Sequence, residues 1–148
     1  MERRILADLI AWKSKSSRKP LILTGARQVG KTYALKAFGK TAYDKVHYLN
    51  FEEEPRLGGI FEKDLKPARL LQEISFHLDT SINPDRDLLI FDEIQSASRA
   101  VASLKYFAEE KPELSVCGAG SLLGLHLAES AFPVGKVEFL ALHPLSFE

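Results

Sequence analysis

The sequence is poor in cysteine, and Cys117 is the only one among its 148 residues. One thiol cannot form an internal disulfide, which suits a reducing compartment, so we expect a cytoplasmic protein. Long apolar runs are also lacking. The longest uncharged stretch, Leu114 to Ala128, contains three glycines and is too short to span a membrane. The segment from Met1 to Ile10 is a poor signal peptide because Asp8 interrupts its apolar run. We therefore predict no membrane contact.

The chain has no excess of either charge, with 20 basic and 20 acidic residues. There is thus no net charge to attract nucleic acid, so nucleic acid binding is possible but unsupported by the charge balance. The charges are unevenly distributed, because residues 1–40 hold ten Lys or Arg and two acidic residues. Within this part, the basic stretch Lys13 to Lys19 is more typical of a solvated linker than of a nucleic acid contact.

The strongest pattern lies between a short apolar segment, Leu21 to Thr24, and a predicted helix. It reads G-x-x-x-x-G-K-T and comprises Gly25, Ala26, Arg27, Gln28, Val29, Gly30, Lys31 and Thr32. Such a loop binds phosphates with its backbone N–H groups, and its glycines permit turns that a Cβ would obstruct. Lys31 would reach the β- and γ-phosphates, and the Thr32 hydroxyl would ligate Mg²⁺. The helix N-terminus would add partial positive charge. An ordinary glycine-rich turn is the alternative, and the flanking strand and helix argue against it.

Apolar periodicity predicts an α/β fold, a parallel-sheet P-loop NTPase core with helices on both faces. We divide the chain into an N-terminal helix and basic linker at 1–19 and a core at 20–148, and the length fits one domain. The helix at 1–15 carries an apolar stripe of Ile5, Leu6, Leu9, Ile10 and Trp12. The other predicted helices cover 31–38 (closed by Gly39), 67–79 and 98–110. The predicted strands cover 21–24, 46–51, 88–91, 114–117 and 137–142. Gly58 and Gly59 mark a loop.

A second signal follows the apolar run Leu88 to Phe91, where Asp92 and Glu93 end the predicted strand. This arrangement resembles a Walker B element, in which the aspartate binds Mg²⁺ and the glutamate polarises the water that attacks the γ-phosphate. General-base chemistry needs a carboxylate within hydrogen-bond reach of that water. The alternative is a strand that simply ends in surface acids, and the phosphate-binding pattern upstream makes it less favoured.

Other nucleotide chemistries fit the sequence less well. The stretch Gly118 to Gly124 approximates a dinucleotide-binding fingerprint, and Glu138 lies twenty residues beyond its first glycine. A nicotinamide-dependent oxidoreductase is therefore a remote alternative, but the third glycine is one place late and the preceding strand is the fourth. No Asn-Lys-x-Asp guanine motif occurs, so adenine is favoured. Small-molecule kinases share the phosphate loop but usually lack the Asp-Glu pair.

Taken together, these motifs resemble prokaryotic AAA-superfamily ATP-binding proteins in which an ATPase core precedes a C-terminal domain of unknown function. The matching pieces span nearly the whole chain and comprise residues 25–32, 48–52 (Tyr-Leu-Asn-Phe-Glu), 89–95 (ending in Asp-Glu-Ile-Gln), 119–123 and 142–148 (ending in Pro-Leu-Ser-Phe-Glu). The resemblance implies binding of ATP and Mg²⁺, followed by hydrolysis. Lys31 and Thr32 would contact phosphate and Mg²⁺, Asp92 would bind the metal, and Glu93 would act as the base.

AAA ATPases also place a polar residue that holds the attacking water after the fourth strand. Ser121 occupies that position between the predicted tips of the first and third strands, although an ordinary loop serine is the alternative. Gln95, just past the acidic pair, is a weaker candidate for the same neighbourhood.

The sequence departs from the family in two respects. Gly135-Lys136 stands where many members have Gly-Arg, and the chain ends where the family normally continues into further domains. We therefore expect an N-terminal core that depends on self-association or on a protein partner to supply an arginine, with Arg99 as a candidate acting between copies. The alternative function is a regulatory or structural ATP-binding module without efficient turnover.

Overall fold

The structure is a computed structural model that describes residues 2–25, 30–120 and 135–142. Within these residues, a parallel sheet of five strands has the order β2-β3-β4-β1-β5. The strands are β1 Leu21–Thr24, β2 Lys45–Asn50, β3 Asp87–Asp92, β4 Ser115–Gly120 and β5 Glu138–Ala141. The helices are α1 Glu2–Lys13, α2 Lys31–Ala42, α3 Pro67–Leu78 and α4 Ser98–Glu110, with short 3₁₀ helices at Pro55–Phe61 and Ile94–Ser96. The predicted parallel α/β fold is confirmed.

Helices cover both faces of the sheet, as the continuous apolar runs predict. Every residue of β3 is buried, which is expected of a strand covered on both sides. On one face, α3, α4 and the first 3₁₀ helix enclose a cluster of edge-to-face phenylalanines, with ring centroids 5.6–6.1 Å apart. The members of this cluster are Phe51, Phe61, Phe91 and Phe107.

On the opposite face, α1 packs beside α2. Ile5, Leu9 and Trp12 are buried there, and the Trp12 indole donates to the Lys19 carbonyl at 2.7 Å, which fixes the linker that enters β1. The apolar stripe predicted for this helix included Ile10, which does not belong to the buried face because it is 41% exposed.

The parallel arrangement brings the carboxyl ends of four strands to one edge of the sheet. Asn50 at the end of β2 pairs with Asp92 at the end of β3, and Asp92 pairs with Ala119 of β4. On the other side of β4, Gly120 pairs with Thr24, the last residue of β1. The fourth strand therefore lies between the first and the third, as expected, and β1 ends at the edge that also holds Asp92.

Glycines account for the main differences between the expected and observed elements. Gly39 does not end α2, which continues for another turn to Ala42. Gly58 and Gly59 lie within a 3₁₀ helix, which Leu57 and Phe61 anchor in the core. Gly118 lies inside β4, where an added Cβ would be 2.8 Å from Ile22 Cδ1. These glycines do not interrupt their elements.

Replacing Gly39 by alanine tests the close packing of α2 on the sheet. We expect Gly39→Ala to lower the free energy of unfolding by about 1–3 kcal/mol, because its Cβ would lie 2.3 Å from Cγ2 of the stiff Val46 side chain. That cost exceeds the gain of about 1 kcal/mol in helix propensity. Gly59→Ala is the matched control, since nothing lies within 4 Å of its added Cβ. Urea unfolding of both variants measures the difference, and equal stabilities would contradict this account of Gly39.

Across residues 2–25, 30–120 and 135–142, no helix combines the length and the apolar character needed to cross a bilayer.

Candidate functional site

A cavity of about 590 Å³ opens at the carboxyl edge of the sheet, between the start of α2 and the ends of β2 and β3. It brings together the described parts of both predicted motifs. Its lining residues are Gly30, Lys31, Thr32, Tyr33, Lys36, Tyr48, Asn50, Glu52, Glu53, Asp92 and Glu93.

The start of α2 shows why the pattern needs glycine before lysine. Gly30 precedes the helix with φ 87° and ψ 20°, a left-handed conformation that a side chain would strain. Lys31 then opens the helix, is only 6% exposed, and donates from Nζ to the Gly25 carbonyl at 3.0 Å. Its ammonium group therefore contacts the first glycine of the pattern.

Asp92 is the centre of the hydrogen bonding in the cavity. Its carboxylate is 2% exposed, and its Oδ2 accepts the Thr32 hydroxyl at 2.5 Å and also the Tyr48 hydroxyl. Its Oδ1 accepts the backbone N–H of Glu93 at 2.9 Å. The two sequence motifs are thus in direct contact, and both oxygens of the predicted metal ligand are held by protein donors.

Glu93 has an unusual backbone, with φ 51° and ψ 46°. A left-handed conformation in a residue other than glycine costs on the order of 1–3 kcal/mol, and such strain clusters at functional sites. Gln95 donates from Nε2 to Glu93 Oε1 at 2.8 Å. The backbone conformation and the glutamine together hold the Glu93 carboxylate beside Asp92, at the rim of the cavity.

Tyr48, Asn50 and Lys36 line the cavity and have no role in the predictions from sequence. Burial, and then hydrogen bonding to Asp92, raises the pKa of Tyr48 to about 12. The Lys36 ammonium lies 3.9 Å from the centroid of the Tyr48 ring, and Asn50 donates from Nδ2 to Tyr48 Oη at 3.2 Å. The signal for Tyr48 and Asn50 was the segment 48–52, which is part of the resemblance described above, but its meaning depends on β2 lying beside β3.

The acidic run after β2 is only partly directed at the cavity. Glu52 and Glu53 line it, whereas Glu54 lies 3.7 Å from His77 and 3.8 Å from Arg56. Among the residues that the structure describes, no group of three His, Cys, Asp or Glu side chains could hold a metal ion.

Several predicted site residues lie outside the described residues, namely Ala26, Arg27, Gln28, Val29 and Ser121. The residue before Ser121 is described: Gly120 ends β4 between the tips of β1 and β3. Gly118 and Gly120 both lie within β4, whereas a dinucleotide fingerprint needs its glycines in the turn after the strand. This placement argues against the oxidoreductase alternative.

The donor set fits Mg²⁺. The groups at the junction of β3 and α2 are the Thr32 hydroxyl and the carboxylates of Asp92 and Glu93, which are hard oxygen donors. Mg²⁺ is usually held by one or two protein oxygens together with substrate phosphates. A hydroxyl and a carboxylate already in contact, next to the predicted phosphate-binding pattern, meet that requirement.

Comparison with known proteins identifies the family and the fold of the chain. The model of the AAA domain family matches residues 17–148. The Orc1 protein of Aeropyrum pernix, solved in complex with DNA, has a similar structure, with a TM-score of 0.54 and 13% sequence identity. The alignment covers 99% of this chain and 44% of the Orc1 chain, so this chain spans less than half the length of that protein. None of the curated proteins matches the sequence. Because the family model spans nearly the whole chain, the protein belongs to the AAA domain family and has the P-loop ATPase core of the AAA superfamily.

Proposed function

We propose that this chain binds ATP with Mg²⁺ and hydrolyses it, and that hydrolysis drives or times a conformational change in a partner or a further domain. The family supports nucleotide binding of the ATPase type. The observation that carries the finer proposal is the 2.5 Å hydrogen bond between Thr32 and Asp92, which lie 60 residues apart in the sequence. This contact joins the phosphate-binding pattern to the acidic pair.

Each residue has a defined task in this proposal. The backbone of Gly25, Ala26, Arg27, Gln28, Val29 and Gly30 binds the phosphates. Lys31 contributes a cation at the β- and γ-phosphates, beside the positive end of α2. Thr32 and Asp92 hold Mg²⁺, which neutralises charge on the phosphates when bound. Glu93 accepts a proton from the attacking water, with Gln95 holding its carboxylate, and Ser121 orients that water.

A second candidate is an ATP-binding module without efficient turnover. The observation that favours it is the bond from Gln95 to Glu93, since an acceptor engaged at 2.8 Å is less available to a water. Phosphate release above that of a Lys31→Ala blank separates the two candidates, because both predict binding but only the first predicts turnover at the site.

The similarity to Orc1 suggests nucleic acid as a partner to consider, because that protein was solved in complex with DNA. In this chain, the basic linker after α1 is engaged in internal contacts. Lys15 pairs with Glu138 at 2.7 Å, and Arg18 donates to the carbonyls of Pro112 and Glu113. These contacts support a structural task for the linker.

Deleting the Lys31 cation tests the proposed site. We expect Lys31→Ala to weaken Mg·ATP binding by roughly 10- to 100-fold or more, since hydrogen bonds to charged groups contribute about 1.5–3 kcal/mol each. Calorimetry measures the affinity, and Lys40→Ala is the control, because Lys40 is exposed in the last turn of the same helix and does not line the cavity. An unchanged affinity in Lys31→Ala would refute the assignment of the site.

A further inference from the structure

The Asp92 oxygen that accepts the Thr32 hydroxyl also accepts a phenol from a neighbouring strand. Tyr48 lies on β2, which pairs with β3, and its hydroxyl donates to Asp92 Oδ2. Neither sequence motif contains this tyrosine. The contact therefore adds a third segment of the chain to the proposed metal site.

The direction of the Tyr48 hydroxyl is fixed by a chain of hydrogen bonds. Asn50 Oδ1 accepts the backbone N–H groups of Glu52 and Glu53, both at 2.9 Å, so the amide NH₂ of Asn50 must point away from them. This NH₂ donates to Tyr48 Oη at 3.2 Å. Because the phenol oxygen accepts from Asn50, its own hydrogen is directed at Asp92.

The ring of Tyr48 is also held from the side. The Lys36 ammonium lies 3.9 Å from the ring centroid, a cation–π contact that restrains the ring. Lys36 lies on α2, the helix that begins with Lys31 and Thr32. Tyr48 therefore contacts α2, which carries Lys31 and Thr32, and β3, which carries Asp92.

We propose that Tyr48 is a positioning residue for Mg²⁺, whose hydroxyl holds the Asp92 carboxylate in the orientation that the metal requires. This inference rests on the proposed function, in which Asp92 and Thr32 hold the metal. When Thr32 ligates Mg²⁺, its oxygen serves both the metal and Asp92. Tyr48 is then a donor to Oδ2 that is not itself a ligand of the metal. Loss of an outer-shell partner of this kind typically lowers metal affinity by about 10- to 100-fold.

The experiment compares ATP affinity in excess EDTA with ATP affinity in saturating Mg²⁺, measured by calorimetry on the full chain. We expect Tyr48→Phe to bind ATP in EDTA as the wild type does. The ratio of its affinity in Mg²⁺ to its affinity in EDTA should be smaller than that of the wild type by about tenfold or more. A merely structural role would change the melting temperature without changing this ratio.

Tyr43→Phe is the matched control. Burial also raises the pKa of its phenol to about 12, and the phenol donates to Ser115 Oγ at 2.8 Å. Ser115 is the first residue of β4, so this contact lies at the edge of the sheet opposite to Asp92. We expect this variant to keep the wild-type Mg²⁺ gain. Lys36→Met is a second test that leaves the Tyr48 hydroxyl in place, and it should reduce the gain in the same direction by a smaller factor.

The outcomes separate the two proposals. A wild-type chain that binds ATP with no gain from Mg²⁺ would refute the proposed metal site, and with it this inference. A wild-type chain with a clear gain that Tyr48→Phe retains or increases would refute the role of Tyr48 alone.

Discussion

Glu93→Gln should bind ATP as the wild type does and lose about 10²- to 10⁴-fold in hydrolysis, which is the usual contribution of a positioned general base. The amide preserves the shape of the side chain but cannot accept the proton of the attacking water. Its oxygen can still accept the 2.8 Å hydrogen bond from Gln95, and the backbone N–H of residue 93 can still donate to Asp92. The surroundings of the cavity should therefore be unchanged, so the loss reports the chemical step.

The measurement combines calorimetry for ATP binding with single-turnover phosphate release for hydrolysis. Asp92→Asn is the matched comparison, because it makes the same carboxylate-to-amide change one residue earlier. Asp92 accepts hydrogen bonds on both oxygens, so an amide nitrogen must face a donor on one side. We expect that variant to bind ATP with less dependence on Mg²⁺. If the two variants behave alike, the division between metal ligand and base is wrong.

Most of the fold could be predicted from the sequence because its strands are short, and two of them, β1 and β3, contain continuous apolar runs. Leu88 to Phe91 is buried throughout, and the helices at 67–78 and 98–110 have the predicted boundaries within one residue. The glycines misled the prediction because the side chains that they face lie on other elements. Gly39 packs against Val46, and Gly118 packs against Ile22. A local pattern cannot distinguish a glycine that ends an element from one that permits close packing.

The two halves of the site could also be predicted, since each is a short local motif. Lys31 and Thr32 meet Asp92 and Glu93 in one cavity, although their catalytic roles stay predictions. Tyr48 was missed because its significance depends on which strand lies beside β3. The residues around it in β2 form no motif of their own. Only the pairing of β2 with β3 brings its hydroxyl to Asp92.

The purified chain should turn ATP over slowly, well below the ~1 s⁻¹ lower end of typical enzyme rates. Charge that develops on the γ-phosphate is commonly neutralised by an arginine from another domain or subunit, which contributes about 10³- to 10⁵-fold in rate. Among the described residues, those lining the cavity include lysines but no arginine. Arg99, the candidate from sequence, donates to the carbonyls of Phe61 at 3.0 Å and Glu62 at 3.5 Å, so using it between copies would break these contacts.

A second copy of the chain could still supply an exposed arginine, and Arg56 and Arg86 have 81% and 70% of their side chains exposed. In that case specific activity should rise with protein concentration. Phosphate release is therefore measured over a wide range of concentrations, with Lys31→Ala as the blank. Mixing Glu93→Gln with Arg56→Ala or Arg86→Ala identifies the donor, since a mixed pair would join an intact base to an intact arginine. Fast turnover that is independent of concentration would show that residues 1–148 already contain every group the reaction needs, and the requirement for an external arginine would have to be abandoned.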